Sequence, residues 1–271
     1  MMKVFLTILA LAIASASAYE AIVYPKDLAK LKGTKIEGRI TNGYPAEAGK
    51  APYTVGLGFG KDGGGWWCGG SIIGNTWVVT AAHCTGDAQK VDVYFGATWR
   101  TEAVYTHTVS SSDFIRNPDY NGILNDISLI RIPHVDFWAQ VNKVELPSLN
   151  DRYQSYNEWW AVACGWGGTY DGSPLPDWLQ CVDMQIIANS ECAATYGTGI
   201  VSDSTICVRV VDGKGTCQGD SGGPLVTHDG SKLVGVTSFV GASGCQAGSP
   251  AGFARITSHL DWIRDNTGIS Y

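Results

Sequence analysis

Charge is scarce in this chain. Only 16% of its 271 residues are Asp, Glu, Lys or Arg, and the balance is acidic, with a formal net charge of −6. No basic run of useful length occurs, so a nucleic-acid partner is not expected: phosphate binding rests on clustered lysines and arginines. No Cys-x-x-Cys pair is present, which argues against zinc. No Asn-x-Ser/Thr triplet occurs, so N-glycosylation is not expected. No apolar run is long enough to span a bilayer, and neither a low-complexity tract nor a fixed-period repeat appears. These absences set aside nucleic-acid binders, zinc modules, membrane-spanning proteins and solenoids.

Glycine, by contrast, is plentiful at 34 residues, and short β-rich runs alternate with turns. Tyr53-Thr54-Val55-Gly56-Leu57 alternates in part. Ser71-Ile72-Ile73 and Trp77-Val78-Val79-Thr80 flank a Gly74-Asn75 turn, a hairpin pattern. Leu225-Val226-Thr227 and the run from Leu233 to Thr237 flank His228-Asp229-Gly230. Near the C-terminus Ile256, Leu260 and Ile263 recur at helical spacing, which predicts one closing helix over about 256–266. Many short strands with few helices indicate barrels or a sandwich. The polar, turn-rich stretch 147–156 marks a boundary between a first unit of about 40–148 and a second of about 149–255.

The N-terminus has the form of a secretory signal. Lys3 precedes an apolar run from Val4 to Ile13, and small residues follow to Ala16-Ser17-Ala18. Residues 1–18 are therefore expected to be removed, leaving a secreted, extracellular protein without a membrane partner. In that oxidising setting Cys68, Cys84, Cys164, Cys181, Cys192, Cys207, Cys217 and Cys245 imply a disulfide framework. Eight cysteines allow 105 pairings, and spacing alone does not choose among them. Residues 19–39 carry Lys26, Lys30, Lys32, Lys35 and Arg39 but no cysteine. The junction Arg39-Ile40-Thr41-Asn42-Gly43 reads either as a processing site or as an exposed linker.

The run Gly219-Asp220-Ser221-Gly222-Gly223-Pro224 is either a polar turn or a nucleophile loop. Flanking glycines let a backbone turn tightly and aim N–H groups at a reacting carbonyl. Two other segments bear on the choice. Thr80-Ala81-Ala82-His83-Cys84 sets a histidine beside a cysteine after a strand, and Asn125-Asp126-Ile127-Ser128-Leu129-Ile130 opens an apolar strand with an aspartate. Read alone, His83 is a structural histidine and Asp126 a strand-start residue. Together with Ser221 they suit a charge-assisted triad.

With Gly165-Trp166-Gly167, these motifs occur in an order that resembles the chymotrypsin/trypsin/elastase family of serine proteases, over Ile40 to about Gly268. Within that family the chain looks most like insect Jonah-type digestive proteases. The resemblance implies an all-β fold of two six-stranded antiparallel Greek-key barrels with a C-terminal α-helix. It implies a serine endopeptidase with His83, Asp126 and Ser221 as catalytic residues and the N–H groups of Gly219 and Ser221 as oxyanion hole. Ser238 takes the place of the family serine that bonds the buried aspartate, or is an ordinary strand serine.

The resemblance further implies a zymogen. Residues 19–39 become an activation peptide cut after Arg39, and the freed Ile40 amine pairs with Asp220. Lacking cysteine, the peptide would leave entirely once cut. The implied disulfides are Cys68–Cys84, Cys192–Cys207 and Cys217–Cys245, with Cys164–Cys181 as the fourth. That last pair departs from the commoner family pattern, in which the strand after the nucleophile carries a cysteine where Thr227 stands here.

For the substrate pocket the resemblance puts Gly215 at the floor, where trypsin-like members carry aspartate, and Val240 and Ala251 in the walls. Gln218 and Ser238-Phe239-Val240 are similar to elastases. Cleavage after small or medium apolar residues follows. Should Val240 lean outward, a chymotrypsin-like preference for large aromatic residues follows instead. A catalytically inactive binding homologue is the remaining reading, although such proteins typically lack a triad residue. The expected partners are protein and peptide substrates, a trypsin-like activating protease and protein protease inhibitors. The expectation is a monomer acting in digestion, in the gut lumen, with no cofactor and no metal.

Overall fold

The computed structural model describes residues 19–24 and 40–270. The expected signal segment 1–18, and Arg39 with most of the expected activation peptide, lie outside the described residues. Two antiparallel sheets account for nearly all the strands. Ahead of them come two short strands, β1 (Ile22–Val23) and β2 (Tyr44–Pro45). The first sheet contains β3 (Thr54–Lys61), β4 (Gly64–Gly74), β5 (Trp77–Thr80), β6 (Lys90–Phe95), β7 (Tyr105–Ser110), β8 (Phe114–Arg116) and β9 (Ser128–Arg131), in the order β7-β6-β3-β4-β5-β9-β8. A single 3-10 turn at Ser111–Asp113 separates β7 from β8, which is why this sheet counts seven strands rather than six.

The second sheet contains β10 (Trp160–Gly165), β11 (Gln180–Ile187), β12 (Thr205–Val208), β13 (Pro224–Thr227), β14 (Leu233–Gly241) and β15 (Ala251–Arg255). Its order β14-β13-β10-β11-β12-β15, with β15 pairing back to β14, closes a six-stranded barrel. β1 adds to β14, and β2 adds to β11. This is the all-β, two-barrel architecture expected for the chain. Its helices are few: α1 (Ala82–Thr85), α2 (Asn189–Tyr196) and α3 (Leu260–Thr267).

Side-chain alternation explains the pairing. In β6 Val91, Val93 and Phe95 are fully buried while Lys90 is exposed and Asp92 and Tyr94 are only partly covered. A shift of one residue would reverse the two faces. β14 behaves differently and is buried along its whole length, because it meets β5 of the first sheet as well as its own neighbours. The closing helix α3 follows a 3-10 turn at Ile256–His259. It buries Leu260 and Ile263 in the same apolar cluster as Val55, Ile72 and Val78 of the first sheet. The C-terminal helix of the second unit thus packs on the first.

Further ties cross the seam. The Gly69 N–H donates to the Ser221 carbonyl at 2.8 Å, and the Leu179 N–H donates to the Thr98 carbonyl at 2.8 Å. The Trp166 Nε1–H reaches the same Thr98 carbonyl at 3.3 Å. All eight cysteines are bridged, as Cys68–Cys84, Cys164–Cys181, Cys192–Cys207 and Cys217–Cys245. Cys164 and Cys181 face each other directly across β10 and β11 with Cα atoms 4.1 Å apart.

A crosslink over 17 residues restricts the unfolded chain by about 3 kcal/mol. Replacing Cys164 and Cys181 together by Ala should lower the unfolding free energy by roughly 2–4 kcal/mol in urea titrations, with the other three bridges intact.

Candidate active site

The site assembles at the seam from three segments that carry no regular structure or very little. α1 is only four residues long and begins where β5 ends. Its position is fixed by the Cys68–Cys84 bridge to β4. His83 sits in that turn with 5% of its surface exposed. Asp126 precedes β9 and follows Asn125, whose φ of 57° lies in the left-handed region that Asn tolerates.

The Asp126 carboxylate, 1% exposed, accepts three hydrogen bonds. They come from the His83 backbone N–H at 2.9 Å, from His83 Nδ1 at 2.6 Å and from Ser238 Oγ at 2.6 Å. Two donors hold the histidine from the first sheet and the third arrives from β14. With Nδ1–H committed to the carboxylate, Nε2 is the nitrogen left to exchange a proton.

Ser221 lies in the tight turn before β13. Glycine is required on both sides. Gly219 has φ +93° and Gly222 φ +78°, and a Cβ at Gly222 would fall 2.1 Å from Thr80 Oγ1 and 2.6 Å from the Gly69 carbonyl oxygen. The turn is pinned by Gly69 N–H to the Ser221 carbonyl and by Gly222 N–H to the Thr237 carbonyl, each at 2.8 Å. Ser221 Oγ is buried and makes no hydrogen bond among the described residues. The N–H groups of Gly219 and Ser221 donate to no acceptor there either. A hydroxyl and two amide donors left unengaged in one tight turn could receive a carbonyl oxygen.

Asp220, 3% exposed, has its carboxylate against the Gly165-Trp166-Gly167 segment. It accepts from the Gly167 N–H at 2.8 Å and from the Cys217 N–H at 2.9 Å. No Lys, Arg or His lies in ion-pair distance of it among the described residues. Burial pushes its pKa up to about 7, with the Cys217 and Gly167 N–H groups working in the other direction. Space for the carboxylate comes from the Gly-Trp-Gly segment: a Cβ at Gly167 would sit 2.1 Å from Asp220 Oδ2, and one at Gly165 would sit 2.2 Å from Oδ1. Ile40 is fully buried in the second barrel's cluster, and Thr41 Oγ1 donates to the Gly215 carbonyl at 2.9 Å.

Gly215 is buried, with Val210 and the Cys245 carbonyl nearest to the place of its missing side chain. Val240 (3% exposed) and Ala251 (0%) belong to one apolar cluster with Val210 and the Cys217–Cys245 bridge. Gln218 is buried and its Nε2 donates to the Ser173 carbonyl.

Several neighbours are not evident from the motifs. Leu175 lies against Gly219, Thr80 Oγ1 donates to the Gly69 carbonyl at 2.8 Å, and the Tyr120 hydroxyl lies 3.0 Å from that of Tyr24, whose ring stacks on His83. Only Thr80 falls within a motif. Leu175 and Tyr120 stand in ordinary loop sequence, where nothing in one chain marks them.

Comparisons with known proteins agree with this geometry. The family model described as Trypsin matches residues 40–263. Serine protease 1 of Drosophila melanogaster is 66% identical over 238 residues, covering 87% of this chain and 88% of its own. The collagenase of Hypoderma lineatum is 42% identical over 270 residues, covering 98% and 99%. A solved structure of HL collagenase superposes with a TM-score of 0.77 at 42% identity, over 85% of this chain and 99% of that one. The chain therefore belongs to the trypsin family of serine proteases and is a serine endopeptidase.

Proposed function

We propose that this endopeptidase is secreted as a zymogen and, once cut after Arg39, cleaves peptide bonds that follow small or medium apolar residues. The observation that carries the catalytic assignment is the buried Ser238–Asp126–His83 chain of hydrogen bonds, together with a buried Ser221 hydroxyl that makes no hydrogen bond among the described residues. Ser221 Oγ attacks the scissile carbonyl while His83 Nε2 takes its proton. Asp126 holds the imidazole in the required tautomer and stabilises the imidazolium. Charge developing on the carbonyl oxygen is met by the Gly219 and Ser221 N–H groups, each worth about 3–4 kcal/mol in comparable sites. His83 then donates the proton to the leaving amine, and water repeats the sequence on the acyl-enzyme.

The zymogen reading is supported by Asp220. A buried carboxylate without a cation is costly, and a free Ile40 amine would supply one. The narrow specificity is supported by the burial of Val240 and Ala251 in one apolar cluster and by the absence of a carboxylate at Gly215. The enzyme would then cut poorly after its own Arg39, so a separate trypsin-like activator is required. No helix among the described residues is long and apolar enough to cross a membrane. Secretion rests on the leader sequence, and a digestive role in the gut lumen rests on the family resemblance.

Ser221→Ala should lower kcat by at least ~10⁴-fold with little change in substrate binding, read on trypsin-processed protein. The processed wild type should prefer peptides ending in Ala, Val or Leu at the cleaved bond over those ending in Phe. Val240→Gly should raise the Phe-to-Ala ratio of kcat/KM at least about tenfold, as expected when a branched side chain leaves an apolar pocket. A strong Phe preference in the wild type would overturn the small-residue assignment.

In the uncleaved chain Asp220 holds a proton more tightly than in the unfolded state, so its contribution to stability is present below about pH 4 and is lost as pH rises to about 7. Urea unfolding of the uncleaved Ser221→Ala protein should show a fall of roughly 3–5 kcal/mol across that window relative to its Asp220→Asn derivative. After cleavage at Arg39 the difference should vanish.

A further inference from the structure

The cleft beside His83 already contains a piece of this chain. Val23 pairs with Val240 and Ile22 with Gly241, antiparallel, along the part of β14 that extends past its pairing with β13. The Ala21 carbonyl accepts from the Ala242 N–H at 2.8 Å, and the Glu20 N–H donates to the Thr195 carbonyl at 2.8 Å. The Glu20 carboxylate takes hydrogen bonds from the Ser243 N–H at 3.2 Å and from Ser249 Oγ. At the other end the Tyr24 ring stacks on the His83 imidazole, with centroids 4.1 Å apart and planes inclined by 21°. The Tyr24 hydroxyl meets the Tyr120 hydroxyl at 3.0 Å and donates to the Gly122 carbonyl.

Direction matters as much as contact. Followed backward from Gly241, β14 leads through Val240 to Ser238, which bonds Asp126. Followed forward, β1 leads through Val23 to Tyr24 over His83. The segment therefore runs N- to C-terminally toward the nucleophile, the sense in which the acyl half of a cleaved peptide must enter. Its side chains use apolar ground of both kinds: Val23 packs against the cluster that contains Val240 and Ala251, and Ile22 packs against the one that contains Phe239 and Tyr196. Strand addition of this type draws affinity from main-chain bonds and selectivity from alternate side chains.

We propose that residues 19–24 are a built-in ligand of the substrate cleft, and that the activation peptide stays bound there without a covalent link after cleavage, competing with substrate. The two contacts that carry it are Val23 opposite Val240 and the Tyr24 ring on His83. This rests on the protease reading above, yet binding is measurable without turnover. It also changes the expectation that a peptide lacking cysteine departs at once.

The test uses trypsin-processed protein passed through gel filtration, and synthetic peptides spanning 19–39 and 19–24. Both peptides should raise the apparent KM linearly with their concentration and leave kcat unchanged, and a peptide carrying Tyr24→Ala should need at least tenfold more for the same effect. Co-elution of the 19–39 fragment with the processed protein, read by mass spectrometry, would support retention. Calorimetry on processed Ser221→Ala protein reads the same binding with catalysis silenced. Binding there without peptidase activity in the wild type would sink the protease reading and leave this proposal standing. Activity without binding, inhibition that lowers kcat at constant KM, or an equal effect from a scrambled peptide would overturn the proposal alone.

Discussion

The carboxylate of Asp126 is the point on which the site and the fold depend together. A buried charge is tolerated only when its lone pairs are met by donors, and here the donors come from both sheets: two from His83 in the first, one from Ser238 in the second. If the barrels separated, that carboxylate would lose the donor that the second sheet supplies. Sheet packing and imidazole orientation are therefore one constraint. The ties at Gly69, Thr98 and helix α3 hold the seam that the constraint requires.

A second buried carboxylate, Asp220, is met among the described residues only by neutral donors, and the Ser221 turn is built around it. The two clearances at Gly165 and Gly167 belong to its side chain, whereas Gly219 and Gly222 serve the backbone on either side of Ser221. Glycines in two distant motifs thus answer to a single residue. This explains why Gly-Trp-Gly and Gly-Asp-Ser-Gly-Gly are found in one chain although no sequence proximity links them.

Much of this is legible in the sequence. Turn residues between β-branched runs predict two all-β units, and the helical spacing of Ile256, Leu260 and Ile263 predicts the closing helix, of which Ile256 forms a 3-10 entry rather than part of α3. The motif residues His83, Asp126 and Ser238 do meet. What was not legible is set by contacts between segments far apart in sequence. The break between β7 and β8 depends on a Ser110 side chain accepting from the Ser112 N–H, a local choice that strand periodicity does not encode. The placement of Tyr120 and Leu175 at the cleft depends on loop paths. The docking of residues 19–24 is not legible either, because a short apolar stretch ahead of a basic linker carries no mark of its destination.

The exposed stretch of β14 has a further meaning in terms of solubility. A strand that runs past its neighbours presents unpaired N–H and C=O groups, and such an edge accepts any extended chain, including another copy of the same protein. With β1 in place those groups at Val240 and Gly241 are capped. A fold that left this edge open would carry an aggregation-prone feature that most folds remove. β1 covers that edge, and any extended chain that is to pair there must first take its place.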